Sequence, residues 1–132
     1  ELKCTDFSTV QRKYASLAQG MRMIDCSGNP MSWNKNPQWC SQLIVAKDKH
    51  QFIYFVFTRS PYSHNEMIDF MVNFEEPLLN AIYMEGGPQT SLFIDTKNDR
   101  IEKLGSYVSK TYATDKNSEF WGLPNVIGIR KK

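Results

Sequence analysis

Residues 51–58 read Gln-Phe-Ile-Tyr-Phe-Val-Phe-Thr, a nearly unbroken apolar run rich in aromatic and β-branched side chains. Such a run suits a strand covered on both faces, and it limits what can be built around it. Shortly after it, Ser63-His64-Asn65-Glu66 has the pattern of a capping box. There a hydroxyl and a carboxylate each satisfy an otherwise unpaired backbone donor at the start of a helix. Tyr62 and Met67 stand at the positions of a hydrophobic staple. Met67, Phe70, Met71 and Phe74 supply an apolar stripe, and Pro77 stops the helix. Residues 79–84 then read as a second buried strand. Strand, helix and strand in succession predict a βαβ unit over residues 51–84, its strands parallel and its crossover right-handed. The expected fold class is α/β (an α+β mixture), with a mixed sheet and helices packed on it.

The flanks are shorter in signal. Ser8 can cap a first helix whose apolar face is Val10, Tyr14 and Leu17. Residues 21–26 read as a strand ended by the turn Ser27-Gly28-Asn29-Pro30. Residues 32–40 are irregular but carry Trp33 and Trp39, which either pin the loop to the core or offer faces for stacking. Further strands are expected at 42–46, 90–95, 106–112 and 125–130, with a helical turn at 100–104. Nothing repeats, and no stretch is long enough to be an interdomain linker. The chain is expected to be a single domain over 1–132.

Charge narrows the function classes. The 132 residues hold 16 basic and 14 acidic side chains, a net charge of +2, and the two signs are interspersed. No basic stripe marks a nucleic-acid surface. The run Arg130-Lys131-Lys132 reads as a solvated tail. No apolar run reaches the length of a transmembrane helix, and no signal peptide is visible. Three cysteines, Cys4, Cys26 and Cys40, cannot all pair with one another. One disulfide with one free thiol and three free thiols fit equally. With no CxxC spacing and only two histidines, neither a metal nor a cofactor is implied.

The predicted βαβ unit brings two loops to one rim, where open α/β sheets bind ligands. The first, Arg59-Ser60-Pro61-Tyr62-Ser63, offers a guanidinium, hydroxyls and a helix start, all favourable to an anion. The second, Glu85-Gly86-Gly87-Pro88, offers a carboxylate for acid, base or nucleophilic work beside glycines that let a ligand approach the backbone. Bland readings stand beside these. A strand-end arginine often pairs with a carboxylate for structure alone, and a Gly-Gly step is more often only a turn. His64 is expected to be exposed, or to line the same rim; His50 is expected to face solvent.

The segment Asn80-Ala81-Ile82-Tyr83-Met84-Glu85-Gly86-Gly87-Pro88-Gln89-Thr90-Ser91-Leu92-Phe93 resembles the signature of the phosphodiester glycosidase family. That family's pattern is an apolar strand, an acidic residue, glycines, a polar step, then Ser or Thr and another strand. Weaker likeness extends over roughly residues 18–130, including Pro124-Asn125-Val126-Ile127-Gly128 as a closing strand. The resemblance implies a hydrolase of sugar-phosphate diesters, bacterial, and secreted, periplasmic or on the outer surface. It implies Glu85 and Arg59 as catalytic residues, and Ser60, Ser63, Gly86, Gly87, Thr90 and Ser91 as substrate-binding. Asp25 is the weaker candidate for a second carboxylate. Two departures matter. Cys40-Ser41-Gln42 stands where members carry an arginine, and an earlier Gly-Phe-Phe-like motif is missing, so the chain is expected to be most of such a domain without an upstream segment. These departures favour the alternative of a catalytically reduced glycan- or anion-binding module, with Trp33, Trp39 and Trp121 as stacking faces. Either way the expected partner is a sugar-phosphate or glycan ligand, and the expected state is a monomer.

Overall fold

The computed structural model of the chain describes residues 7–33, 37–124 and 126–130. Its elements, in order, are α1 (Phe7–Lys13), β1 (Met21–Arg22), β2 (Trp39–Asp48), β3 (Ile53–Ser63), α2 (His64–Val72), β4 (Leu78–Gly86), β5 (Ser91–Asp95) and β6 (Arg100–Leu104). A single 3-10 turn, Gly87–Gln89, joins β4 to β5.

Four strands form one sheet in the order β1-β4-β2-β3, and β5 and β6 form a separate hairpin. Every pairing is antiparallel. The expected α/β class is therefore wrong, and the protein is a small, β-rich, antiparallel fold. The predicted βαβ unit at residues 51–84 fails for a specific reason. β3 and β4 do run in the same direction, but β2 lies between them and pairs antiparallel with both. The strand expected at 42–46 does form, as part of β2, and it inserts between the two strands that the unit would pair.

The β2–β3 hairpin is closed by Asp48. Its Oδ1 accepts the Phe52 N–H at 2.9 Å and its Oδ2 accepts the Tyr54 hydroxyl at 3.0 Å. Gln51 supplies the left-handed residue of the turn, with φ of 72°. On one face of the sheet, Met23, Ile24, Ile44, Ala46, Leu78 and Ala81 pack against Met67, Ile68 and Met71 of α2. The other face is less covered: Ile53 is 55% and Phe55 37% exposed.

Helix α2 begins as expected. The Ser63 hydroxyl accepts the Glu66 N–H, and the Glu66 carboxylate accepts the Ser63 N–H at 2.7 Å. The apolar stripe is different from the one expected. Ile68 is buried, while Phe70 and Phe74 face outward with their rings 5.5 Å apart. Ser8 lies inside α1 rather than capping it, and Tyr14 and Leu17 are exposed beyond its end.

Three other local expectations are corrected. Residues 100–104 form strand β6, because Arg100–Leu104 completes a hairpin with β5. Residues 106–112 make only isolated bridges, Cys40 with Val108 and Val108 with Tyr112. Of the expected closing strand, Asn125 lies outside the described residues and 126–130 form no strand. Cys26 is held in a disulfide, and Cys40 is a free, buried thiol. Cys4 lies outside the described residues.

Candidate functional site

At the start of α2 a cavity of about 610 Å³ opens between the helix, β1, β4 and the loops around residues 37 and 110. Trp33, His64 and Tyr83 form its aromatic wall. The Trp33 and His64 rings stack at 4.1 Å and 16°, and Tyr83 meets both edge-on at 5.8 and 4.7 Å. Trp33 is fixed further: its Nε1 donates to the Arg22 carbonyl at 2.9 Å, and its backbone N–H donates to Asn65 Oδ1 at 3.3 Å. Met21 and Pro37 add apolar rim, and Gln38, Asn65 and Lys110 add polar groups. Among the described residues no carboxylate lines this cavity.

His64 occupies the first position of α2, directly after its cap. Burial pushes its pKa down, so the imidazole is neutral near pH 7. Its Nε2 is buried and has no hydrogen-bond partner among the described residues. Tyr83 points its hydroxyl the other way, toward Cys40. Burial and the proximity of Cys40 and Glu85 raise the phenol far above its ordinary range. Burial likewise raises the Cys40 thiol, against a lowering hydrogen bond from Tyr83, and the charge of Glu85 raises it further.

Lys110 reaches the cavity because residues 105–109 are tied to the start of β2. Ser41 N–H donates to the Tyr107 carbonyl at 2.8 Å, Ser109 N–H to the Trp39 carbonyl at 2.9 Å, and Ser106 N–H to Ser41 Oγ at 2.9 Å. The turn from Val108 to Tyr112 then presents Lys110 with φ of 71°.

The residues marked in the sequence do not converge. The Arg59 guanidinium donates to the carbonyls of Leu104, Asp115 and Asn117 and pairs with the Asp115 carboxylate, so its donors are committed to holding residues 104–117. Ser60 is exposed, and its carbonyl accepts the Thr58 hydroxyl. Ser63 is buried, and its hydroxyl is engaged by the capping box. Gly86 and Gly87 are buried. Thr90 is fully buried, with its carbonyl accepting the Gly105 N–H at 2.7 Å. Ser91 begins β5 opposite Leu104. Asp25 uses its carboxylate to close its own turn, accepting the backbone N–H groups of Ser27 and Asn29.

Glu85 is set apart by register. Ile44 pairs with Tyr83 and Leu43 with Glu85, so one step on β2 spans two on β4 and Met84 is the extra residue. An inserted residue shifts the alternation. Glu85 thereby shares a face with Leu43, while Tyr83 and Gly86 share the face of Ile44 and Gln42. Glu85 is exposed, and its Oε1 accepts the Gly86 N–H at 2.9 Å.

Of the aromatic residues singled out, Trp33 lines the cavity, Trp39 starts β2, and Trp121 donates to Asn117 Oδ1 at 3.0 Å. Sequence reasoning missed Tyr83 and Lys110 as lining residues. Tyr83 reads as one apolar residue of a strand, and its pairing with Ile44 and Met21, both distant in sequence, sets the face it lies on. Among the described residues no helix is long and apolar enough to cross a membrane, and no cluster of His, Cys, Asp and Glu could hold a metal ion. No protein-family model, curated protein or solved structure matches the chain.

Proposed function

We propose that this chain recognises an anionic carbohydrate, of the sugar-phosphate class, in the cavity at the start of α2. The observation that carries this reading is the composition of the cavity wall. A pinned indole, a neutral imidazole and a lysine ammonium surround a hollow of about 610 Å³ with no acidic side chain among the described residues of its lining. Aromatic rings suit the apolar face of a sugar, and polar groups fix its hydroxyls. A cation unopposed by carboxylate favours an anion. Isothermal titration with N-acetylglucosamine 1-phosphate tests the reading. Binding that is lost with N-acetylglucosamine alone supports it; no heat with either ligand removes it.

A second reading is the hydrolase of sugar-phosphate diesters. The resemblance of Glu85-Gly86-Gly87 and Ser91-Leu92 to the phosphodiester glycosidase pattern favours it. Glu85 is the acid–base or nucleophilic candidate, and glycoside cleavage ordinarily uses two carboxylates. Turnover of an aryl phosphodiester of N-acetylglucosamine by the parent, lost in Glu85→Ala, supports this reading. Equal and negligible turnover in both leaves recognition without chemistry.

A further inference from the structure

β3 is the outermost strand of the four-stranded sheet, and among the described residues only β2 pairs with it. An open edge offers a row of main-chain donors and acceptors to any strand that can align with them. Proteins ordinarily guard such an edge with charge, proline or brevity. The sheet's other edge is guarded in this way, because β1 is only the two residues Met21–Arg22. β3 runs for 11 residues, and its first half has no guard. Residues 51–58 carry neither charge nor proline, and Phe52, Ile53 and Phe55 are 67%, 55% and 37% exposed.

The register tells which main-chain groups face outward. Asp48 N–H donates to the Phe52 carbonyl at 3.2 Å. Bonded and non-bonded pairs alternate along an antiparallel ladder. Ala46 lies opposite Tyr54 and Ile44 opposite Val56, so Tyr54 and Val56 turn their main-chain groups toward β2. Ile53, Phe55 and Phe57 turn theirs away from the sheet, and their side chains lie on the face opposite α2.

We infer that β3 pairs antiparallel with β3 of a second copy of this chain, about a two-fold axis at Phe55, so that two sheets become one. Phe55 then faces its own equivalent, and Ile53 faces Phe57 of the second copy. Every outward-facing group from 53 to 57 gains a partner, and aromatic and β-branched side chains make favourable cross-strand pairs. Charge selects a second copy over a foreign strand. Two-fold pairing sets like against like, which a neutral edge tolerates, while a foreign charged strand finds nothing here to complement it. The contact also closes at two, since β1 is too short to receive β3 and head-to-tail growth has no acceptor in this sheet. Pairing stops before Arg59, whose guanidinium is committed to the 104–117 segment. The cavity lies on the β1–β4 side of the sheet, so the inference does not rest on what the cavity binds.

Sedimentation equilibrium should give a mass near twice 15.3 kDa at about 0.1 mM, falling toward 15.3 kDa at about 1 µM. Phe55→Lys changes a half-exposed side chain and sets two ammonium groups against each other across the axis, so it should weaken the dimer about tenfold or more. Hydrogen exchange in the parent protein gives a readout that holds even if this variant fails to fold. The amides of Ile53, Phe55 and Phe57 should be protected at the higher concentration and exchange freely at the lower. Those of Tyr54 and Val56 should stay protected at both. A parent that is monomeric at the higher concentration overturns the pairing. So does a dimer in which the amides of 53, 55 and 57 exchange freely, or a folded Phe55→Lys variant that associates like the parent.

Discussion

Arg59 is paired with Asp115, Nε to Oδ1 at 2.9 Å, and the same guanidinium reaches the carbonyls of Leu104, Asp115 and Asn117 at 2.8–3.2 Å. Five donors in a planar fork are what such a multiple grip requires. The ion pair itself contributes little, because the Asp115 side chain is 70% exposed. The carbonyls matter more, since those of Asp115 and Asn117 belong to a segment without regular structure of its own, and that of Leu104 ends β6. Arg59→Ala should therefore lower stability by about 1–3 kcal/mol, and Arg59→Lys should recover only part of it. Urea denaturation measures both. A loss of ligand binding in Arg59→Ala at unchanged stability would contradict this structural role.

The cap of α2 makes a second expectation. Ser63 is buried, and its hydroxyl both accepts the Glu66 N–H and donates to the Glu66 carboxylate. Ser63→Ala should cost about 1–2 kcal/mol, the usual range for losing a helix cap. Glu66 is held below its ordinary pKa by the Ser63 hydroxyl first, then the Ser63 N–H and a bond from Trp39. Its unfolded pKa is the higher one, so its contribution is present above about pH 4.5 and fades as the pH falls through the lowered value. Glu66→Gln should flatten the acid limb of the stability profile, read from thermal melts between pH 3 and 5.

What was legible in the sequence follows from range. The capping box, the strand cores at 42–46, 51–58 and 79–84, and the turn around Gly28 rest on signals a few residues long, and the structure has each of them. Strand order rests on contacts between residues far apart. The apolar run at 51–58 cannot say whether its neighbour is β4 or β2, because both are apolar and both lie within reach. The insertion at Met84 is equally silent, yet it puts Glu85 on the opposite face from Tyr83. Arg59 and Glu85 have the right residue types for an anion site. Nothing short-range could reveal that backbone carbonyls 45 and more residues away would occupy the guanidinium.

Gly86 lies under the Tyr83 hydroxyl. A β-carbon built there would collide with that oxygen and sit 3.1 Å from Cys40 Sγ and 3.2 Å from the Ser41 carbonyl. Gly86→Ala should destabilise by about 1–3 kcal/mol through overpacking. Tyr83→Phe removes the colliding oxygen. The double variant Tyr83→Phe/Gly86→Ala should then lose less than the sum of the two single changes, a coupling measurable by a double-mutant cycle. Strict additivity would mean that the strain is taken up by Cys40 or Ser41 instead.

Cys40 should be silent toward thiol reagents in the folded protein. It is 2% exposed, and burial raises its pKa so that little thiolate forms at neutral pH. Reaction with a chromogenic disulfide should appear only in denaturant, with a midpoint matching global unfolding. Rapid labelling without denaturant would show that the Cys40–Tyr83 region opens on its own.

His64 gives the pH dependence a second window. Burial places its folded pKa below its ordinary value of 6.5. The unfolded chain therefore takes up the proton first as the pH drops. Stability is complete above about pH 6.5 and declines as the pH falls toward and through the depressed value. This window lies above the one set by Glu66, so the two limbs separate on a profile from pH 7.5 to 3. His64→Phe should remove the upper limb and leave the lower one in place. An upper limb that persists in His64→Phe would show that His64 does not set it.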